Sequence, residues 1–234
     1  MAAMTQTENA SPATRALELD SPGTEENALP QMSGMILDDL APEFVLQLLC
    51  NNLDNLSALE PNSSGVQSPS TDQDNMSSMD LHFGHTDGAG GRSKGEAFQL
   101  AVLARRFLSK SVPPIAITDY LERLHRFCPM STAVILAASY YITRMVLVEK
   151  SLSVTPKNMH RLALAAALVA TKALEDLGYP HSRVAKVGGV SELELSKLEI
   201  SFCFLLDFDL YMTEEKLILE AMLQLRSQGT RIPR

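Results

Sequence analysis

The 234-residue chain is sparing with reactive and binding chemistry. It has three cysteines, Cys50, Cys128 and Cys203, far apart and with no CxxC spacing. They read as reduced thiols buried like small hydrophobes, not as disulfides or ligands. No P-loop, GxSxG or HExxH occurs, which leaves phosphate-cradle, serine-hydrolase and zincin chemistry without their residues. The five histidines, 82, 85, 125, 160 and 181, form no metal set, and His82 with His85 reads as incidental. The first twenty residues show no basic flank followed by an apolar stretch, so no signal peptide is expected. The longest apolar run, Leu162 to Ala170, is nine residues, about half of what a bilayer requires. No cofactor, metal, membrane or catalytic residue is expected.

What is present is apolar and helical. Hydrophobic residues make up 45% of the chain, enough for a core. The net charge of −8 is unevenly spread. Residues 1–96 carry 3 Lys/Arg against 15 Asp/Glu, and residues 97–234 carry 17 against 13. An acidic leader before a mildly basic body favours protein partners over nucleic acid.

Residues 1–40, rich in Ser, Thr, Pro, Glu and Asn without periodicity, read as a disordered leader. Residues 41–60 space Phe44, Val45, Leu48, Leu49, Leu53, Leu56 and Leu59 as a helix, with Pro42 in its first turn. Residues 61–96 read as a flexible polar insertion. From 97 to 234 helix follows helix. Ile117, Tyr120, Leu121, Leu124 and Phe127 share a face, and Ser131 or Thr132 can cap the next helix. Thr155 with Pro156 predicts a helix over 156–177, ended by Gly178 and Pro180. Ser191 and Glu194 stand at capping-box spacing, before a stripe of Leu195, Leu198, Phe202, Leu205 and Leu206. Thr213 opens a last helix with Glu214 and Glu215 in its first turn. The fold class is all-α.

Two charges interrupt this apolar text. Lys172 follows the nine-residue run, eleven residues after Arg161 and so only about 20° out of register with it. By spacing alone Lys172 reads as a lysine that reaches solvent by its stem and pairs with a local acid such as Glu175 or Asp176. Glu199, in SKLEISF, is equally readable as part of a solvated face with Glu192.

The segments ITDYLERLHRF, ASYYITR, NMHRLALAAALVATKALED, AKVGGVSELELSKLEISFCFLLDFDL and YMTEE resemble the cyclin box. The likeness is to the plant P/U-type and fungal phosphate-pathway (Pho80-type) cyclins, over roughly residues 112 to 225. PEFVLQLLCNNLDNL resembles the helix these cyclins carry before the box. The resemblance implies a single five-helix cyclin box with flanking N- and C-terminal helices. It implies a non-catalytic subunit that forms a heterodimer with a cyclin-dependent kinase of the Pho type, activates it and directs it to substrates, in nutrient (phosphate) signalling or cell-cycle control. Lys172 and Glu199 fall on the family's kinase-contacting lysine and glutamate. A nuclear and/or cytoplasmic location follows.

The likeness has gaps. Cell-cycle cyclins carry a Met-Arg-Ala-Ile-Leu type motif whose Arg pairs with an Asp in the second box helix. Here Pro113, Pro114 and Ile115 lie near the first place and Thr143 at the second. YPHSRVAKVGG replaces the usual Asn-Asn-Ala lead into AKVGG. Arg123, Arg126 and Arg161 belong to a basic body that reads either as a surface for substrates or a phosphorylated partner, or as ordinary solvated charge. Ser11, Ser21 and Ser68 each precede proline and are candidate phosphosites for the bound kinase. The competing classes are a cyclin-fold scaffold or transcription-related adaptor, and an all-α enzyme, for which no convergent polar set is visible.

Overall fold

The structure is a computed structural model in which residues 37, 40–59 and 94–228 are described. The expected disordered leader apart from residues 37 and 40, the flexible insertion apart from residues 94–96, which open α2, and the candidate phosphosites Ser11, Ser21 and Ser68 fall outside these residues. Among the described residues there are eight α-helices and no strand: α1 (Pro42–Ala58), α2 (Lys94–Arg105), α3 (Ile117–Phe127), α4 (Thr132–Leu147), α5 (Met159–Leu174), α6 (His181–Gly188), α7 (Glu192–Leu205) and α8 (Glu214–Ser227).

α5 is the central rod. Every residue from Leu162 to Ala170 is buried, and α3, α4, α6 and α7 all pack on it. A helix apolar on all sides is stable only when surrounded, and its alanines let the neighbours approach closely. α1 buries Val45, Leu48, Leu49, Leu53 and Leu56 against α3, α4 and α8, so it shares their core. α2 lies on α7. The ends of two expected stripes turn outward instead. Phe44 in the first turn of α1, Leu59 just past its end and Phe127 at the end of α3 are exposed. Leu46, Cys50 and Cys128 are buried.

Ser131, Ser191 and Thr213 cap α4, α7 and α8, each hydroxyl accepting from the backbone N–H three residues on. The start of α5 differs from expectation. The chain first turns through 155–158. Asn158 Oδ1 accepts from the Thr155 N–H at 2.8 Å and its Nδ2 donates to the Ser153 carbonyl at 2.7 Å. This local alternative to helix is what Asn side chains offer. The helix begins at Met159, and Thr155 Oγ1 is left buried without a partner. α5 also stops early, at Leu174. Glu175 is extended (φ −112°, ψ 135°) and its carboxylate accepts from Ser131 Oγ at 2.6 Å.

Two glycines close α6. A Cβ on Gly188 would lie 2.5 and 2.8 Å from the Leu164 methyls, so α6 meets α5 there backbone to side chain. Gly189 has φ 72°, the left-handed C-cap position that glycine adopts without strain.

Candidate partner-binding face

The buried part of α5 ends where Lys172 emerges. Its Nζ lies 2.5 Å from Glu199 Oε1 of α7, so the two sequence-flagged charges pair with each other. The pair joins Lys172 to α7 instead of to the local Glu175 or Asp176, and Glu175 bonds Ser131. The Lys172 side chain is 52% exposed and that of Glu199 20%. An ion pair so open to water contributes about 0–1 kcal/mol to stability. Its position, fixed by two helices whose inner faces are fully packed, matters more than its strength.

His181, at the start of α6, places Nε2 3.6 Å from Glu199 Oε2. Three helices thus converge on one carboxylate. Sequence reading missed His181; the change from the usual Asn-Asn-Ala lead was the only signal. Cys203, one turn beyond Glu199, is half-buried. Burial raises its thiol pKa, Glu199 adds to the rise and Lys172 opposes it. Close in sequence to Lys172 or Glu199 are the exposed apolar residues Leu174, Leu177 and Ile200, a composition that suits contact with a partner. On the α3 side a groove of about 330 Å³ lies between α3, α5 and α6, floored by Leu124, Leu164 and Leu168 and rimmed by Lys172 and Glu175.

The three arginines do not form one site. Arg161 Nη2 pairs with Glu194 Oε1 at 2.6 Å, and Nη1 donates to the Leu108 carbonyl at 3.1 Å. It clamps the segment after α2 and the start of α7. Glu194 consequently does not return to its own cap, so the capping box is half made. Arg123 and Arg126 are exposed on α3, with the Arg126 guanidinium 5.8 Å from the Phe127 ring centre.

The region that departs from cell-cycle cyclins is held by internal contacts, although His160 Nδ1 is buried without a partner. His160 bonds the Ile115 carbonyl at 2.9 Å and packs edge-on against Tyr120, ring centres 5.0 Å apart. Tyr120 donates its hydroxyl to the Gly188 carbonyl at 3.1 Å, and burial pushes that phenol well up. Burial holds the His160 imidazole below its ordinary value. Thr143 accepts from Asn52 Nδ2 at 2.8 Å. Among the described residues no group of His, Cys, Asp or Glu is placed to hold a metal ion, and no helix is long and apolar enough to cross a membrane.

The family model described as Cyclin matches residues 44–210. PHO85 cyclin-7 of Saccharomyces cerevisiae is 37% identical over 122 residues, covering 47% of this chain and 43% of the relative. Cyclin-U4-1 of Arabidopsis thaliana is 38% identical over 107 residues, 46% of this chain and 53% of the relative. The PHO85 cyclin-like protein psl1 of Schizosaccharomyces pombe is 38% identical over 112 residues, 47% of this chain and 46% of the relative. The chain spans about half the length of the curated relatives it matches. The chain belongs to the cyclin family, and the relatives it resembles within that family are of the P/U and Pho85-cyclin types.

Proposed function

We propose that this chain is a non-catalytic activating subunit of a cyclin-dependent serine/threonine kinase of the Pho type, serving nutrient (phosphate) signalling or cell-cycle control. The observation that carries the reading is the Lys172–Glu199 pair, presented at the surface by two packed helices. A protein kinase phosphorylates only when its β3 Lys–αC Glu ion pair is formed and its activation loop is placed. A partner that binds the active arrangement better than the inactive one shifts the balance by its differential affinity. Turning a 1:99 equilibrium into 99:1 takes about 5.5 kcal/mol of that difference.

Rigid charges suit this role because they fix register, while neighbouring apolar contacts supply affinity. Leu174, Leu177 and Ile200, exposed and apolar, are proposed for the second task. Arg123 and Arg126, exposed on α3, are proposed for substrates or a phosphorylated partner. The test is to add the purified full chain to Pho-type kinases and measure phosphoryl transfer. Stimulation that saturates with the chain supports the reading. A panel of such kinases neither bound nor stimulated refutes it.

A further inference from the structure

The described body contains a buried acid that the partner face does not use. Glu220 of α8 is 4% exposed and Gln224, one turn on, is 5% exposed. Glu220 Oε1 accepts from Ser139 Oγ of α4 at 3.0 Å and lies 2.6 Å from Gln224 Nε2. Thr143 of α4 also bonds to the carboxyl. Asn52 of α1 donates to both Ser139 Oγ and Thr143 Oγ1 at 2.8 Å. One carboxyl group thus knits α8 to α4 directly, and to α1 through two hydroxyls.

The groups around Glu220 are all neutral. On α4, Arg144 is committed to Glu149 and Asp209. On α1, Asp54 is exposed. On α8 itself, Lys216 reaches the Tyr211 carbonyl and Arg226 is exposed. Among the described residues no cation offsets a charge at Glu220, and an ionised carboxylate is costly to bury unpaired. Burial raises this carboxyl above its ordinary value of 4.5, against the smaller opposing pull of bonds from Gln224, Ser139 and Thr143. A second observation points the same way. Gln224 Oε1 is buried without a partner. Its own nitrogen already sits beside Glu220, so a turn of the carboxamide gives a carboxyl proton an acceptor.

We propose that Glu220 is a proton-dependent latch: it is a neutral carboxylic acid while α8 lies on α1 and α4, and its ionisation frees α8. Freed, α8 uncovers the α1–α4 seam that carries Asn52, Ser139 and Thr143. The sign follows from the raised value. The latch is fully closed below the unfolded pKa of about 4.5 and is lost as pH rises through the higher value of the docked state. The latch is independent of the kinase reading.

The test is hydrogen–deuterium exchange of the full chain from about pH 5 to 8.5, corrected for intrinsic exchange. Opening of the α8 amides is expected to rise by up to about tenfold per pH unit between the undocked value of about 4.5 and the docked-state titration, and to level off above it, while α4 and α5 amides stay level. Glu220→Gln is expected to keep α8 protected and to flatten its pH profile. A wild-type α8 whose protection does not change with pH overturns the proposal. So does a Glu220→Gln chain that loses α8 protection at every pH with its core intact, since the carboxylate itself would then be the fastener. If that variant fails to fold, the wild-type contrast between α8 and the core decides alone.

Discussion

Replacing Gly188 by alanine tests the packing that holds α6 against the central rod. The added Cβ would lie 2.5, 2.8 and 3.2 Å from Leu164 Cδ2, Cδ1 and Cγ. Leu164 is fully buried, so it can yield only by leaving its rotamer or displacing α6. Overpacking of this kind costs about 1–3 kcal/mol. Alanine's helical advantage over glycine, at most about 1 kcal/mol in a helix interior, is smaller at a helix's last residue. A net loss of about 2 kcal/mol follows, and a fall in Tm of roughly 4–8 °C for a domain of this size. Urea unfolding of the full chain, followed by helical circular dichroism, measures it. The cause is isolated by Leu164→Val, which alone costs about 0.5–1.5 kcal/mol. Combined with Gly188→Ala it should cost less than the sum by at least about 0.5 kcal/mol, because the removed carbon is what the new Cβ meets. Unchanged stability in Gly188→Ala, or strict additivity in the pair, would refute the reasoning.

Asn158→Ala removes both bonds of the turn before α5. It should destabilise the chain by about 1–3 kcal/mol, because the part-buried Thr155 N–H loses its acceptor; the same urea assay reads it. His160 predicts an acid-side loss of stability. Its folded pKa is lowered by burial, so its contribution is present above the unfolded value of about 6.5 and is lost as pH falls toward the folded value. Urea midpoints measured downward from pH 7 should therefore fall more steeply for wild type than for His160→Gln, and parallel curves would contradict this.

Much of the fold is legible in the chain because burial writes itself as period and run. The nine apolar residues of α5 leave no exposed face, and a fully packed rod is the one arrangement that accepts them. Caps at Ser131, Ser191 and Thr213 were equally readable, since a hydroxyl before an apolar-periodic stretch has few other uses. Boundaries were less so. Asn158 overrode the Thr155–Pro156 start because its amide satisfies two backbone groups at once, a choice that spacing does not reveal. The candidate face was half legible. Lys172 and Glu199 stood out as charges among apolar residues, but nothing local says that residues 27 positions apart pair. His181 and the Glu220 cluster were not legible. EEKLILEAML reads as an amphipathic helix with solvated acids, and only the packing of α8 against α4 puts Glu220 inside.

The most direct test of the account is the charge-reversal cycle at the central pair, measured as binding of the full chain to a Pho-type kinase it activates. Wild type, Lys172→Glu, Glu199→Lys and the double exchange are compared, with unfolding followed in parallel. The pair's small stake in stability predicts that all four fold within about 1 kcal/mol of one another. Each single reversal should lose kinase binding at least about tenfold, or roughly 1.4 kcal/mol. The double exchange should remain weak, because it remakes the internal pair but presents each charge at the wrong place. Recovery of full binding in the double exchange, or equal binding by all four chains, would contradict the claim that Lys172 and Glu199 face the partner.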